Sequence, residues 1–397
     1  MIRSRSARHR PVAALLSAVS SWVAAASLVG GMATVQAADS LVGKVMTVNG
    51  PIDPDALGMT LPHEHLFMNF QPLVDTPEGW REVGEVKPST AEEIAYYEAP
   101  LTIERLGAAT MGKENRDNRV LNDEATTIKE VLDYKWSGGR SIVDVTTIGI
   151  RPNPAELKRV ADVTGLNIIM GTGWYEHGYV GDAVDSRSVA SLADQMVKDI
   201  TVGANGTGIR AGIIGEIGVK VADRPYERKI LAAAVRASLQ SGAAISIHMS
   251  RGYHQQIATL KFLKEAGADM TRVAMGHSNP IADNMELMKY VLQQGSYLQF
   301  DLLGEAPHIL SEVPDHDVAV AIIELLREGY GKQILLSQDV CLKTKLKAYG
   351  GTGYSFIAEQ FIPYLRRLGA TDEQINLMVV ENPKRLLTFV KPRPVKS

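Results

Sequence analysis

Two histidines separated by one residue close the stretch Thr60-Leu61-Pro62-His63-Glu64-His65-Leu66. On a β-strand, side chains at i and i+2 point the same way, so His63 and His65 converge on whatever lies at the strand's end. Two convergent imidazoles make half of a metal site. Four more residues of ligand type stand at the ends of short apolar runs. They are Glu216 in Gly-Ile-Ile-Gly-Glu-Ile-Gly, His248 after Ala-Ala-Ile-Ser-Ile, His277 after Val-Ala-Met-Gly and Asp339 after Ile-Leu-Leu-Ser-Gln. Singly, each has an ordinary explanation. Glu216 suits a helix cap or an arginine's partner, His248 and His277 suit hydrogen-bonded core positions, and Asp339 suits a cap. Together at strand ends they point to metal, because a carboxylate buried among isoleucines is costly unless a cation neutralises it.

Six ligands exceed the four that one tetrahedral zinc takes. The simplest solution is two divalent ions about 3.5–4 Å apart, sharing a carboxylate and a water-derived hydroxide. His63, His65 and Asp339 would hold one ion and His248 and His277 the other, with Glu216 between them. Nitrogen and oxygen ligands suit zinc first, with manganese, cobalt or iron(II) as alternatives. Such a centre supplies hydroxide near neutral pH for attack on an electrophilic carbon or phosphorus, with Asp339 taking the proton on to the leaving group. Cys341, two residues past Asp339, is a rival nucleophile on paper, but a small packing residue is the better reading. Substrate contacts are expected from Trp174 and Tyr175 (with His177 beside them), from Arg251 and His254, and from Lys343 and Lys345.

The elements that must position these residues alternate. Strand-like runs lie at 58–65, 141–147, 167–173, 209–217, 243–248, 272–277, 296–302 and 332–337. Helical spacing recurs between them at 123–134, 154–164, 189–200, 227–241, 254–266, 283–294 and 318–328, with closing helices at 356–368 and 371–380. Short, nearly all-apolar strands fit an α/β sheet buried on both faces. Eight units, and no glycine-rich nucleotide loop after the first strand, favour a closed (β/α)8 TIM barrel over an open doubly wound sheet. In that fold chemistry sits at the C-terminal ends of the strands, where all six candidate ligands fall. A hairpin is expected from 42–46 with a turn at Gly50-Pro51. The irregular segment 70–117 reads as a long insertion after the first strand, a lid or helical excursion.

The chain has 397 residues, 45% of them hydrophobic, ample for one large core. Arg3, Arg5, Arg8 and Arg10 precede an apolar Ala/Ser-rich run ending in Val35-Gln36-Ala37, so residues 1–37 read as a secretory signal and 38–397 as a single barrel domain. Cleavage there removes four arginines and no acid, moving the formal charge from −3 to −7. That acidic balance leaves no nucleic-acid footprint. The expectations are a periplasmic or secreted protein acting on a small molecule, with no membrane contact after cleavage; a homodimer is the assembly to look for. The single cysteine excludes an intrachain disulfide.

The whole set resembles the amidohydrolase superfamily, and within it the phosphotriesterase family. The likeness lies in Leu61-Pro62-His63-Glu64-His65, Ile142-Val143-Asp144-Val145-Thr146-Thr147, Ala211 to Gly218, Gly276-His277 and Glu381-Asn382-Pro383-Lys384. Well-studied members bridge their metals with a carbamylated lysine on the fourth strand, a place taken here by Glu216. With the segment Leu342 to Tyr354, this is similar to the phosphotriesterase-related branch. The resemblance implies hydrolysis of carboxylic esters, lactones or N-acyl amides. Phosphotriester cleavage is the alternative, and a non-catalytic metal-bound receptor a remote one.

Overall fold

The computed structural model describes residues 38, 40–249, 253–305 and 313–395. The expected leader, 1–37, and Arg251 lie outside the described residues.

A hairpin of β1 (Val45–Thr47) and β2 (Gly50–Ile52) opens the fold, followed by β3 (Thr60–Glu64). The hairpin turns one step earlier than expected, at Val48-Asn49. There the Thr47 hydroxyl accepts from Asn49 N and donates to the Gly50 carbonyl, so Gly50 opens the second strand. Two short strands, β4 (Met68–Asn69) and β5 (Val120–Leu121), pair antiparallel and frame the insertion. Inside it are three short helices, Pro77–Glu82, Ala91–Glu98 and Ile103–Thr110. Thr76 and Thr90 cap the first two, and Glu93 completes a capping box with Thr90.

Then come β6 (Ser141–Asp144), β7 (Asn167–Thr172), β8 (Ile213–Val219), β9 (Ile245–Met249), β10 (Val273–Met275), β11 (Tyr297–Phe300) and β12 (Ile334–Leu336). The eight strands order as β12-β11-β10-β9-β8-β7-β6-β3, with every pairing parallel. Helices lie between successive strands, which gives the TIM barrel. The helix Pro154–Thr164 shows why these segments fold as they do. Asn153 caps it, Pro154 needs no donor in the first turn, and Gly165 ends it in the left-handed conformation.

Strand alternation sorts the core into two clusters. Val143, Val145, Ile169, Ile213, Ala244, Ala274, Tyr297 and Leu335 fill the barrel interior, with Val45 and Leu57 against them. Their neighbours Ile142, Ile168, Ile214, Ile245, Val273, Leu298 and Leu336 pack outward beneath the helices. The inward parity continues upward into polar residues: Tyr297 is followed by Gln299 and Asp301, Ala244 by Ser246 and His248, and Leu335 by Ser337 and Asp339.

The ladder is not completed between β12 and β3. Side chains close that seam. His63 N donates to the Ser337 hydroxyl (3.1 Å), and Asp339 N donates to the His63 carbonyl (3.3 Å). The buried Glu64 carboxylate accepts from Ser337 Oγ, Gln338 N and Val340 N at 2.7–2.8 Å. Burial lifts the Glu64 carboxyl to about 7 against those three donors.

The two closing helices are interrupted. A π-helical turn at Ile357–Phe361 leads into Ile362–Arg367, and another at Leu377–Glu381 leads into Asn382–Leu387. Each widened turn immediately precedes a proline near the start of the next segment, Pro363 or Pro383. Proline lacks the N–H for the regular bond and crowds the carbonyl four residues back, and a looser turn relieves both. Among the described residues no helix is long and apolar enough to cross a membrane.

Candidate metal centre

Glu216 reaches the site through an irregularity in β8. Ile214 and Ile217 both face the outer core although they are three residues apart, and the register against β9 shifts between them. The extra residue reverses the parity and turns Glu216 inward. Its carboxylate is buried, and all four histidines come to it. His63 Nε2 lies 3.2 Å away, His65 Nε2 3.3 Å, His248 Nδ1 3.1 Å and His277 Nε2 4.0 Å.

Two groups of ligand atoms meet around it, one from His63, His65 and Asp339 and the other from Glu216, His248 and His277. Asp339 Oδ1 lies 3.2 Å from His65 Nε2 and 3.8 Å from His63 Nε2. His277 Nε2 lies 2.8 Å from His248 Nδ1. His277 and Asp339 hold left-handed backbone, φ 48° and 49°, where few non-glycine residues sit. Such angles cost on the order of 1–3 kcal/mol and cluster where function fixes the geometry.

The far nitrogens of the rings are held as well. Asp301, fully buried, accepts from His277 N at 2.9 Å and faces His277 Nδ1 at 2.9 Å and His63 Nδ1 at 3.2 Å. The Gln299 amide reaches both His63 Nδ1 and Asp301. His65 Nδ1 faces the Thr146 hydroxyl at 2.9 Å. His248 Nε2 faces Glu176 at 3.4 Å and the Tyr175 hydroxyl at 3.2 Å. A glycine makes that last approach possible: a Cβ on Gly218 would fall 2.3 Å from Glu176 N. Asp301, Glu176 and Thr146 were absent from the expected site. Asp301 continues the inward parity of Tyr297 and Gln299, a signal open to reading. No local pattern marks Glu176.

The electrostatics ask for positive charge. Burial favours neutral groups throughout, yet His248 beside Glu216 and Glu176 is pushed up to about 10. Burial likewise opposes charge on His63 and His65, but Asp301, Glu216 and Asp339 raise both. Burial opposes ionisation of Glu216 and Asp339 too, but the imidazoles hold Glu216 low, and Lys345 and His65 hold Asp339 low. Protons on His63, His65 and His248 are thus favoured beside the buried carboxylates in the bare chain. His63 Nε2 and Glu216 Oε1 are buried yet make no hydrogen bond; the 3.2 Å approach of His63 Nε2 to Glu216 Oε2 lacks bonding geometry. Atoms of this kind, at the centre of two groups of nitrogen and oxygen donors, fit divalent metal.

The expected substrate contacts are placed unevenly. The Tyr175 hydroxyl points into the centre at His248. Trp174 is buried in the outer core with Arg187 over its ring, so it backs the site. Lys343 pairs with Asp117 of the insertion at 2.5 Å. His254 is exposed on the helix Tyr253–Glu265. Burial and Asp339 push the Cys341 thiol well up, which leaves it protonated and a poor nucleophile.

Residues 43–387 match the phosphotriesterase family. The chain is 36% identical to the N-acetyltaurine hydrolase of Homo sapiens over 353 residues, covering 86% of this chain and 97% of that protein. The structure of a resiniferatoxin-binding protein from Rhodobacter sphaeroides superposes with a TM-score of 0.80 at 35% identity, covering 87% of this chain and 95% of that one. An organophosphorus hydrolase from Deinococcus radiodurans gives 0.66 at 27% identity, with 87% and 97% covered. A barrel whose rim gathers four histidines and two acids, matched along nearly its whole length, thus belongs to the phosphotriesterase family and is a metal-dependent hydrolase.

Proposed function

We propose that this chain cleaves small N-acyl amides with two divalent ions, zinc first, held by His63, His65 and Asp339 on one side and His248 and His277 on the other, with Glu216 shared. One observation carries the reading: all four imidazoles lie within 4.0 Å of the single Glu216 carboxylate. The amide preference is supported by the near full-length likeness to N-acetyltaurine hydrolases. When bound, the ions would lower the pKa of water and polarise the scissile carbonyl.

The chain's own groups do the rest. Asp339 Oδ1 faces the two histidines of its group and is placed to take a proton from attacking water and return it to the leaving nitrogen. Asp301, Glu176 and Thr146 hold the rings with one nitrogen aimed inward. The Tyr175 hydroxyl, at the rim beside His248, is a donor in reach of a substrate oxygen. The protein is exported, its leader removed after Ala37, and acts in the periplasm or outside the cell; a homodimer is the assembly proposed.

Initial rates of the zinc-loaded chain on N-acetyltaurine, an aliphatic lactone, an aryl ester and an aryl phosphotriester test this. The amide should be turned over with the highest kcat/KM. A phosphotriester faster than the other three would replace the amide reading with the organophosphate one. Bound metal with silence on all four would favour a binding role.

A further inference from the structure

Past β12 the chain forms a strap across the rim, and one cation of that strap enters the centre. Lys345 Nζ donates to the main-chain carbonyl of Asp339 at 2.7 Å and lies 3.6 Å from Asp339 Oδ2. It also pairs with Glu305 Oε1 at 2.6 Å, and its side chain is 12% exposed. Among the described residues it is the one Lys or Arg within 4.0 Å of Glu216, Asp301 or Asp339. The strap is itself fixed. Lys345 O accepts from Gly353 N, a Cβ on Gly351 would strike the Lys345 carbonyl carbon at 2.3 Å, and buried Glu130 accepts from Lys347 N and Ala348 N.

Asp339 needs such a partner. Its left-handed backbone takes its carbonyl out of the strand ladder, and a buried carbonyl left without a donor is destabilising. We propose that Lys345 is a positioning residue for Asp339: it fixes that residue's main chain and carboxylate, so that Oδ1 stays aimed at the metal groups. The proposal rests on the reading of Asp339 as ligand and proton carrier.

The test compares the cobalt-loaded wild type with Lys345→Met and Lys345→Arg by metal content, the visible absorption of bound cobalt(II), and kinetics on N-acetyltaurine. For Lys345→Met the expected result is two ions retained, an altered cobalt spectrum, and kcat lowered about 100-fold with KM within about threefold, as for a reacting group displaced by an ångström. Lys345→Arg, which keeps a cationic donor, should recover part of both signals. An unchanged spectrum overturns the proposal. So does a raised KM at constant kcat, which would make Lys345 a substrate contact. Loss of ions or fold in both variants would make it merely structural and also overturns it. A wild type inactive on the amide would sink the amide reading, yet the cobalt spectrum would still judge Lys345.

Discussion

Replacing Asp301 with Asn should weaken both metal ions at once. Asp301 faces the Nδ1 of a histidine from each group, His63 at 3.2 Å and His277 at 2.9 Å, and it also accepts from His277 N. A ring that binds metal through Nε2 carries its proton on Nδ1, so His277 donates to this carboxylate and the protonated His63 Nδ1 faces it at 3.2 Å. Asparagine keeps the shape, but one oxygen becomes an N–H₂ group that meets a donor head-on. A hydrogen bond to a charged acceptor contributes roughly 1.5–3 kcal/mol, and at 1.4 kcal/mol per decade its loss weakens binding by about 10–100-fold. Substitutions behind metal-ligating histidines span the same range. The assay is competition with a chromophoric chelator, titrating each ion, with thermal unfolding of the metal-free proteins as control. Thr146→Val supplies the contrast: its hydroxyl, which also meets the Phe67 carbonyl, faces His65 Nδ1 alone among the four histidines, so the change should weaken only one ion. Asp301→Asn affinities within threefold of wild type for both ions, with the metal-free fold intact, would refute the reasoning.

Metal removal should destabilise the protein by about 2.7 kcal/mol per ion relative to a hundredfold excess over its Kd, read as a fall in Tm on dialysis against chelator. Cys341→Ala should keep kcat within about threefold and retain both ions, because the thiol stays protonated; loss of activity with metal retained would reinstate it as a nucleophile. Asp199 is raised from 3.8 to about 6, by burial against the opposing Thr172 hydrogen bond. A raised acid binds its proton more tightly in the folded state, so stability falls as pH rises from about 4 to 6 and stays reduced above. Asp199→Asn, measured on metal-free protein, should therefore gain on the order of 1–2 kcal/mol at pH 8, with the gain shrinking towards pH 5. A gain independent of pH would refute the assignment.

The barrel and the gathering of ligand-type residues at its rim were legible because apolar strand runs ending in such residues mark both. Strand parity sets which side chains look inward, and His248 and Asp339 follow it; His63 and His65 share one side, which the register shift between Leu61 and Glu64 in β3 turns inward. Asp301 obeys the same rule, but its value depends on two histidines brought from distant strands. Glu216 is the opposite case: strict alternation would point it outward, and only the irregularity in β8, invisible in Gly-Ile-Ile-Gly-Glu-Ile-Gly, turns it in. Glu64, flanked by both histidines, serves the seam, and its partners lie more than 270 residues away. The π-helical turns were written in Pro363 and Pro383, but a proline signals a break or a bulge without saying which.

The seam between β3 and β12 has a consequence for when metal can be acquired. One group of ligands straddles it, His63 and His65 from the first barrel strand and Asp339 from just past the last. Those atoms are neighbours only after the final strand has docked, so a partly made chain holds no such site. Metal binding thereby becomes a late event that reports a finished barrel. A chain that crosses a membrane unfolded would meet its metal on the far side, and the ions available there, rather than those of the compartment of synthesis, would set what the enzyme carries.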